Sequence, residues 1–550
     1  MLRRYLENIY FLKKRVYLTI NERKSSMRKN IPRFKNKTQP HCCPCGESMP
    51  HGSDALTRRT FLKGLGATAL GGMALRGLSW PLLAVNEEEE IGLKKVPLRV
   101  KPILVYSTPK HRPQTSWRAW GAIQTQRDAD EEAARIQSEL KRLQADAEFP
   151  IDFLPLARVR GTKDLSTIND LSPADVILIY PAGGWMDIFH ELEKAGKDMI
   201  FFCRHKSGPV YLWYEIISPR YLRQHTDTLA VKSVDDDDVV VDSQEEILWR
   251  LRALHGLRNT FGTRILAVGG PGAWSQPKGV VPQLVKDIWK YDIRTISYEE
   301  LGKLIKAARS DQKAAKKARQ QAAAYLKSSG TTLETKSQFV ENAFLLDQVF
   351  RALMKKAGSR AITINGCMGT IMPIAETSAC LTLSTLNDAG YLAFCESDFV
   401  VIPSGVLLAN ISGRPVFLND PTYPHEGIIT LAHCTAPRKM DGKARESARI
   451  LTHFESDYGA APKVEMSKGQ VVTNIVPDFA SKRWVGLLGE IVDAPFMPIC
   501  RSQIDIKYAC DDRTLAKRMP GFHWMTCYGD YTREVGYALK RVNIEWDLLK

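Results

Sequence analysis

The residues best placed to do chemistry lie in the stretch YLAFCESDFVV (391–401), which carries Glu396 and Asp398. An apolar run that reads as a strand ends there in two carboxylates at i and i+2, and such side chains share one side of a strand. Charges at the end of a buried strand are costly unless paired or metal-bound, and α/β proteins place their sites at strand C-termini. Carboxylate oxygens suit a hard divalent cation such as Mn²⁺ or Mg²⁺, with one imidazole allowed. Glu376 lies one helix upstream and can return to the same crevice. The imidazole candidates are His425, His433, His453 and His523, and spacing does not choose among them. A structural ion pair or a capping acid is the alternative for the carboxylates, and a satisfied core residue the alternative for any one histidine.

The elements that must position these groups follow from the hydrophobic pattern. LRVKPILVY (98–106), ADVILIYPA (174–182) and DMIFFCRH (198–205) read as buried strands, with a charge-paired helix over 128–143 between the first two. A second unit opens at GTRILAVGGPGAW (262–274). It continues through the strand–helix DIRTISYEELGKLI, an Ala/Lys-rich exposed helix over 311–327, a helix over 336–356, the strand AITINGC (361–367) and a helix over 378–388. Strands alternating with helices predict parallel sheets. After Asp398 the runs PVFLNDPTY, GIITLAHCTAP, ARILTHFESD, GQVVTNIVP and SQIDIKYACD are short and divided by turn residues, which predicts an antiparallel sheet or barrel. GDYTREVGYALKRVNI closes the chain as a helix.

The expected organisation is therefore α/β. A basic extension and signal (1–90) precedes two N-terminal Rossmann-like or flavodoxin-like parallel-sheet domains (95–215 and 216–395) and a mainly antiparallel β-rich C-terminal domain (396–550). The 550 residues, 44% apolar and 25% charged, exclude a mostly disordered chain, a collagen-like repeat and a polytopic membrane protein.

The net charge of +16 is concentrated at the start, where residues 1–63 hold 15 Lys/Arg against 4 Asp/Glu, a local balance of +11. No nucleic-acid-binding signature accompanies it, so no nucleic-acid partner is expected. Thr57-Arg58-Arg59-Thr60-Phe61-Leu62-Lys63 precedes the weakly apolar GLGATALGGMAL. That pattern is a twin-arginine export signal, which predicts passage through the twin-arginine translocase to the periplasm or beyond. The HCCPC cluster (41–45) lacks a matching second half of a metal motif, and the eight later cysteines form no CxxC pair and read as buried thiols. Pro271 breaks any GxGxxG reading of Gly269-Gly270-Pro271-Gly272, leaving a strand-to-loop turn near a cleft. Asp235–Asp238 reads as a solvated loop.

Three stretches carry a family resemblance: CESDFVVIPSGVLLANISGRPVFLNDPTY (395–423), LAHCTAP (431–437) with LTHFESDYGAA (451–461), and GFHWMTCYGDYTREVGYALKRVNIEW (521–546). Together the C-terminal half resembles the L-fucose isomerase family, with L-arabinose isomerase a more distant relative. The resemblance implies that Asp398 matches the family's metal-ligand Asp and His523 its metal-ligand His. It points to Glu376 as the catalytic Glu, with Glu396 as the nearby alternative. It further implies an aldose–ketose isomerase that uses Mn²⁺ or another divalent cation and an enediol mechanism on a monosaccharide. Glu376 and Asp398 would be the acid–base pair and, with His523, the ligands, in a homo-oligomer. Trp274, Trp524 and Tyr528 are candidates to present apolar faces to the sugar. Two other functions stay open: a non-catalytic exported carbohydrate-binding protein on the same scaffold, and a metal-dependent hydrolase or lyase.

Overall fold

The computed structural model describes residues 95–550 apart from 184–185, 212–215, 232–233 and 275–278. The twin-arginine motif and the HCCPC cluster lie outside the described residues. Among the described residues no helix is long and apolar enough to cross a membrane.

The first sheet contains β1 (Leu98–Val105), β2 (Ile151–Phe153), β3 (Ala157–Val159), β4 (Val176–Pro181), β5 (Asp198–Cys203) and β6 (Val239–Val241). Its order is β2-β1-β4-β5-β6, with β3 also on β1, and every pairing is parallel. β4 is buried along its whole length, as a strand covered on both faces must be. Helix α1 (Gln126–Asp146) starts at a capping box of Thr125 and Asp128. It lays Ala129, Ala133, Ile136, Leu140 and Leu143 against this sheet. The acidic run departs from the expected solvated loop. Asp235 caps a single turn, while the buried Asp238 accepts from the Tyr537 hydroxyl and pairs with Arg541.

The second sheet holds β7 (Arg264–Val268) and β8 (Asp292–Ile296), passes over β9 (Thr331–Leu333), and adds β10 (Ala361–Ile364) and β11 (Leu392–Phe394). Its order is β11-β10-β7-β8, again parallel throughout. The direction of winding therefore reverses between β7 and β10, and their carboxyl ends open a crevice there. The Ala/Lys-rich helix spans Gln312–Leu326. It is not the exposed helix the composition suggests, because Ala314, Ala318, Ala322 and Tyr325 form a buried stripe.

The remaining strands are β12 (Phe417–Pro421), β13 (Ile428–His433), β14 (Ala448–His453), β15 (Tyr458–Val464), β16 (Val471–Pro477), β17 (Arg483–Asp493), β18 (Ser502–Tyr508), β19 (Trp524–Tyr528) and β20 (Glu545–Leu549). The ring β16-β19-β12-β13-β18-β17 closes on itself through β16–β17, so six antiparallel strands form a barrel. β20 adds to β17 in parallel. ARILTHFESD falls outside the barrel: it forms β14, between β15 and β9 in a separate three-stranded sheet. The chain is thus a mixed α/β structure with two parallel sheets and a mainly antiparallel C-terminal β region.

One helix, α2 (Ile402–Ser412), ties the second sheet to the barrel. It is buried on every side, as its apolar run requires. A Cβ on its Gly405 would lie 2.5 Å from Met525 Cε of β19 and 2.7 Å from Phe394 Cε1 of β11. Only glycine lets the helix approach both, and those two strands lead into the candidate site. Ile475, Met525 and Phe394 share one buried cluster around it, each contributing about 1.5–3 kcal/mol by burial.

Candidate metal centre

β11 ends at Phe394, one turn before the carboxylates. Glu396 and Ser397 have φ of 64° and 44°, the left-handed region. The two acids therefore do not extend a strand as i and i+2 neighbours; a tight turn redirects them. The chain then rejoins the sheet edge at Asp398, which bridges Gly272 in parallel. The Gly272 amide donates to Ser397 O at 3.1 Å, and Phe399 N donates to Gly272 O at 3.2 Å. The glycine-rich turn after β7 is thus the wall against which Asp398 is held.

Asp398 and His523 meet, as the family resemblance implies. His523 Nδ1 lies 2.7 Å from Asp398 Oδ2, and both residues are buried. Asp398 Oδ1 accepts from Val400 N at 3.0 Å and from Trp274 N at 3.4 Å. Both oxygens of Asp398, expected as a metal ligand, are therefore occupied, and the residue stands where it would orient the imidazole. A carboxylate on Nδ1 fixes the tautomer that leaves Nε2 free to ligate.

His523 Nε2 faces Glu396 Oε2 at 3.4 Å and Asp420 Oδ1 at 3.3 Å. His433 Nε2 lies 3.6 Å from Glu396 Oε1, and its Nδ1 is 3.0 Å from Thr435 Oγ1. Ligand atoms of Asp420, His433 and His523 all fall within 4.8 Å of one another, as do those of Cys395, Glu396 and His433. His523 Nε2 and Asp420 Oδ1 are buried and, beyond the ion-pair contacts among these side chains, make no hydrogen bond. Native interiors rarely leave such atoms unpartnered, and a shared cation would satisfy both. The imidazoles form the floor, with side chains 0% and 4% exposed. The carboxylates of Glu396 and Asp420, at 26% and 33%, form the mouth.

The electrostatics agree with a cation site. Burial opposes a charged imidazole on His523, but the bond to Asp398 and the carboxylates of Glu396 and Asp420 overcome it and push its pKa up to about 10. His433 is raised in the same way against its burial, by Glu396 and Asp420. Burial works against an ionised Glu396, yet bonds to His433 and His523 hold its pKa well below the usual carboxylate range. Burial raises Asp420. Three carboxylates around two imidazoles make a field that calls for positive charge, and a dication bound through oxygen and nitrogen would supply it. Glu396, Asp420, His433 and His523 fit such an ion. Cys395, whose thiol burial pushes up, lies within ligand distance of Glu396 and His433.

The topology explains the convergence. Asp420, His433 and His523 lie on or beside β12, β13 and β19, three neighbouring strands at one rim of the barrel, where Asp420 pairs with Ala432 and Asn419 with Trp524. Glu396 and Asp398 come from the end of β11. Gly521 sets the approach of His523. Its φ is 71°, and a Cβ there would sit 2.7 Å from Pro477 O.

Several expected residues stand elsewhere. Glu376 is not in this cluster; it ends a short helix at φ 53°, half exposed, in an ion pair with Arg309 at 2.6 Å. The helix that follows does not carry its side chain back to the crevice. Trp524 and Tyr528 do not face this cluster. With strand alternation they point into the barrel core beside Phe417, Val472 and Val485, and the Tyr528 hydroxyl donates to Glu446 at 2.8 Å. Trp274 does flank the site, stacked on Phe522 at 4.9 Å and 10° and edge-on to His523 at 5.9 Å. Asp420 escaped sequence reasoning, although the strand-ending Asp of PVFLND was its signal.

No family model and no curated protein matches the chain. Among solved structures it is similar to a carbohydrate transporter from Acidothermus cellulolyticus 11B in complex with myo-inositol. Identity is 15% over 58% of this chain and 88% of that one, with a TM-score of 0.14. A likeness this distant carries no argument.

Proposed function

We propose that the chain is a divalent-metal-dependent sugar isomerase of the L-fucose isomerase type, converting an aldose to a ketose. The reading takes the two parallel sheets as Rossmann-like or flavodoxin-like units, and includes export by the twin-arginine route and a homo-oligomer. The observation that carries it is the meeting of Asp420, His433 and His523, with Glu396 against both imidazoles, where the end of β11 reaches the barrel rim.

A bound Mn²⁺ or similar ion would polarise neighbouring carbonyl and hydroxyl oxygens of an open-chain sugar. The chain's own residues do the rest. Asp398 would hold the proton on His523 Nδ1 and so leave the Nε2 lone pair free to ligate. Glu396, partly exposed at the mouth, would be the carboxylate that takes the carbon-bound proton and returns it. Trp274 and Phe522 offer a stacked apolar wall beside the mouth.

The test is ketose formation by the purified protein with Mn²⁺ over a panel of aldoses. Metal-dependent ketose that is lost in Glu396→Gln supports the reading; no ketose from any aldose sinks it. The placement of Glu376 on the surface favours a second reading, a carbohydrate-binding protein without turnover. Sugar binding with no product over the same panel would decide for it.

A further inference from the structure

Three cysteines far apart in the chain meet beside the barrel rim. Cys380 opens the helix Cys380–Asp388, Cys434 directly follows β13, and Cys500 closes the loop between β17 and β18. Cys380, Cys434 and Ala461 form a small buried cluster with Cys500 packed against it. The Arg501 amide donates to Cys434 Sγ at 3.4 Å, so that sulfur lies against the Cys500–Arg501 peptide. All three thiols are free, with Cys380 and Cys434 buried and Cys500 half-buried.

The two neighbours of Cys434 are not equivalent. A disulfide needs Cα atoms about 4.4–6.8 Å apart and a torsion near ±90°. Cys380 is fixed by its helix and is 5% exposed. Cys500 belongs to a segment outside regular structure, pinned by the Gln503 amide, which donates to the carbonyls of Met497 and Cys500 at 2.9 Å each. Of the two neighbours it alone is partly open to solvent.

We propose that Cys500 and Cys434 form a thiol–disulfide exchange site whose reaction partner is a small-molecule disulfide such as glutathione disulfide. Cys500 Sγ attacks one sulfur of the incoming disulfide while its own proton passes to the departing sulfur, a protein–glutathione S–S bond forms, and the first glutathione leaves as the thiol. The Cys434 thiolate then attacks Cys500 Sγ. The internal S–S bond forms, and the second glutathione leaves and is protonated. Two protein thiols are oxidised and one external disulfide is reduced to two thiols. The product ties the end of β13, at donor His433, to the loop before β18. This site is independent of the isomerase reading.

The experiment equilibrates the folded full chain in glutathione buffers from fully reduced to fully oxidised. Acid quenching, alkylation under denaturing conditions and non-reducing peptide mass spectrometry follow. A Cys434–Cys500 cross-linked peptide, lighter by two hydrogens, is expected to go from absent to dominant as the buffer oxidises, while buried Cys203 stays alkylated. Cys434→Ser should stop the reaction at a glutathione adduct on Cys500. Cys500→Ser should abolish the cross-link without changing thermal unfolding of the reduced protein. The proposal is overturned by Cys434 remaining alkylated throughout, by a wild-type adduct on Cys500 that never resolves, or by a Cys434–Cys380 bond in its place.

Discussion

Replacing Asp398 by Asn is the sharpest test of how this centre is built. The two residues have nearly the same shape, but both oxygens of Asp398 are acceptors: Oδ1 from Val400 N and Trp274 N, and Oδ2 from His523 Nδ1. Asn has one oxygen, so its NH₂ must face either a main-chain N–H or the imidazole N–H. The first arrangement leaves buried donors opposed, at about 1–3 kcal/mol. The second is relieved when the imidazole changes tautomer, which moves its proton to Nε2, the atom that must ligate. Either way metal binding weakens. Loss of such an orienting group costs about 10–100-fold in metal affinity, or roughly 1.4–2.7 kcal/mol at 1.36 kcal/mol per tenfold. Calorimetric titration with Mn²⁺, wild type against Asp398→Asn, reads this directly, and circular dichroism confirms that the variant is folded. A variant that binds Mn²⁺ within twofold of wild type would refute the assignment of Asp398 as the residue that orients His523.

Glu376→Gln should leave Mn²⁺ affinity unchanged, and losing its exposed pair with Arg309 should cost no more than about 1 kcal/mol in thermal unfolding; weakened metal binding would return Glu376 to the site. Gly521→Ala adds a Cβ 2.7 Å from Pro477 O at a positive φ, so it should destabilise the fold by about 1–3 kcal/mol and weaken Mn²⁺ binding by displacing His523, both measurable on one sample. His255 is buried against Phe149 with both nitrogens unpartnered, and burial, assisted by Lys95, Arg360 and Arg258, lowers its pKa to about 3. The unfolded chain binds that proton near pH 6.5 and the folded chain does not. Stability therefore falls as pH drops from about 6.5 toward 3, by up to roughly 1.4 kcal/mol per pH unit from this residue. Denaturant titrations should show a shallower loss between pH 6.5 and 5 in His255→Leu; identical slopes would contradict it.

The parts of this fold legible in the sequence are those where burial leaves a one-dimensional mark. β4 and β5 are apolar along nearly their whole length because both faces are covered, and the parallel sheets follow from their alternation with helices. The short runs after Asp398 announced antiparallel strands but not their closure, which depends on β17 pairing on both sides along its length. Asp398 and His523 were legible as a pair only through the family-like segments around them, since 125 residues separate them. Asp420 and His433 were harder because a strand-ending Asp and a His among apolar neighbours look the same whether they ligate or merely pack. Glu376 misled because a helix-flanking acid says nothing about which way a left-handed terminus turns it. Trp524 and Tyr528 misled because proximity to a functional His in sequence does not survive strand alternation: Met525 and Cys527 face one core and Trp524 and Tyr528 the other.

The donor set is divided unevenly between a stiff part and a yielding one. Asp420, His433 and His523 ride on three hydrogen-bonded staves of a closed ring, so their spacing is set by the barrel itself. Glu396 stands on a left-handed turn with no ladder partner of its own. Under the proposed metal-binding reading, ions of different radius would be accommodated from one side only, by Glu396 advancing or retreating over a fixed three-point seat, and selectivity among hard and borderline cations would be a property of that turn more than of the histidines.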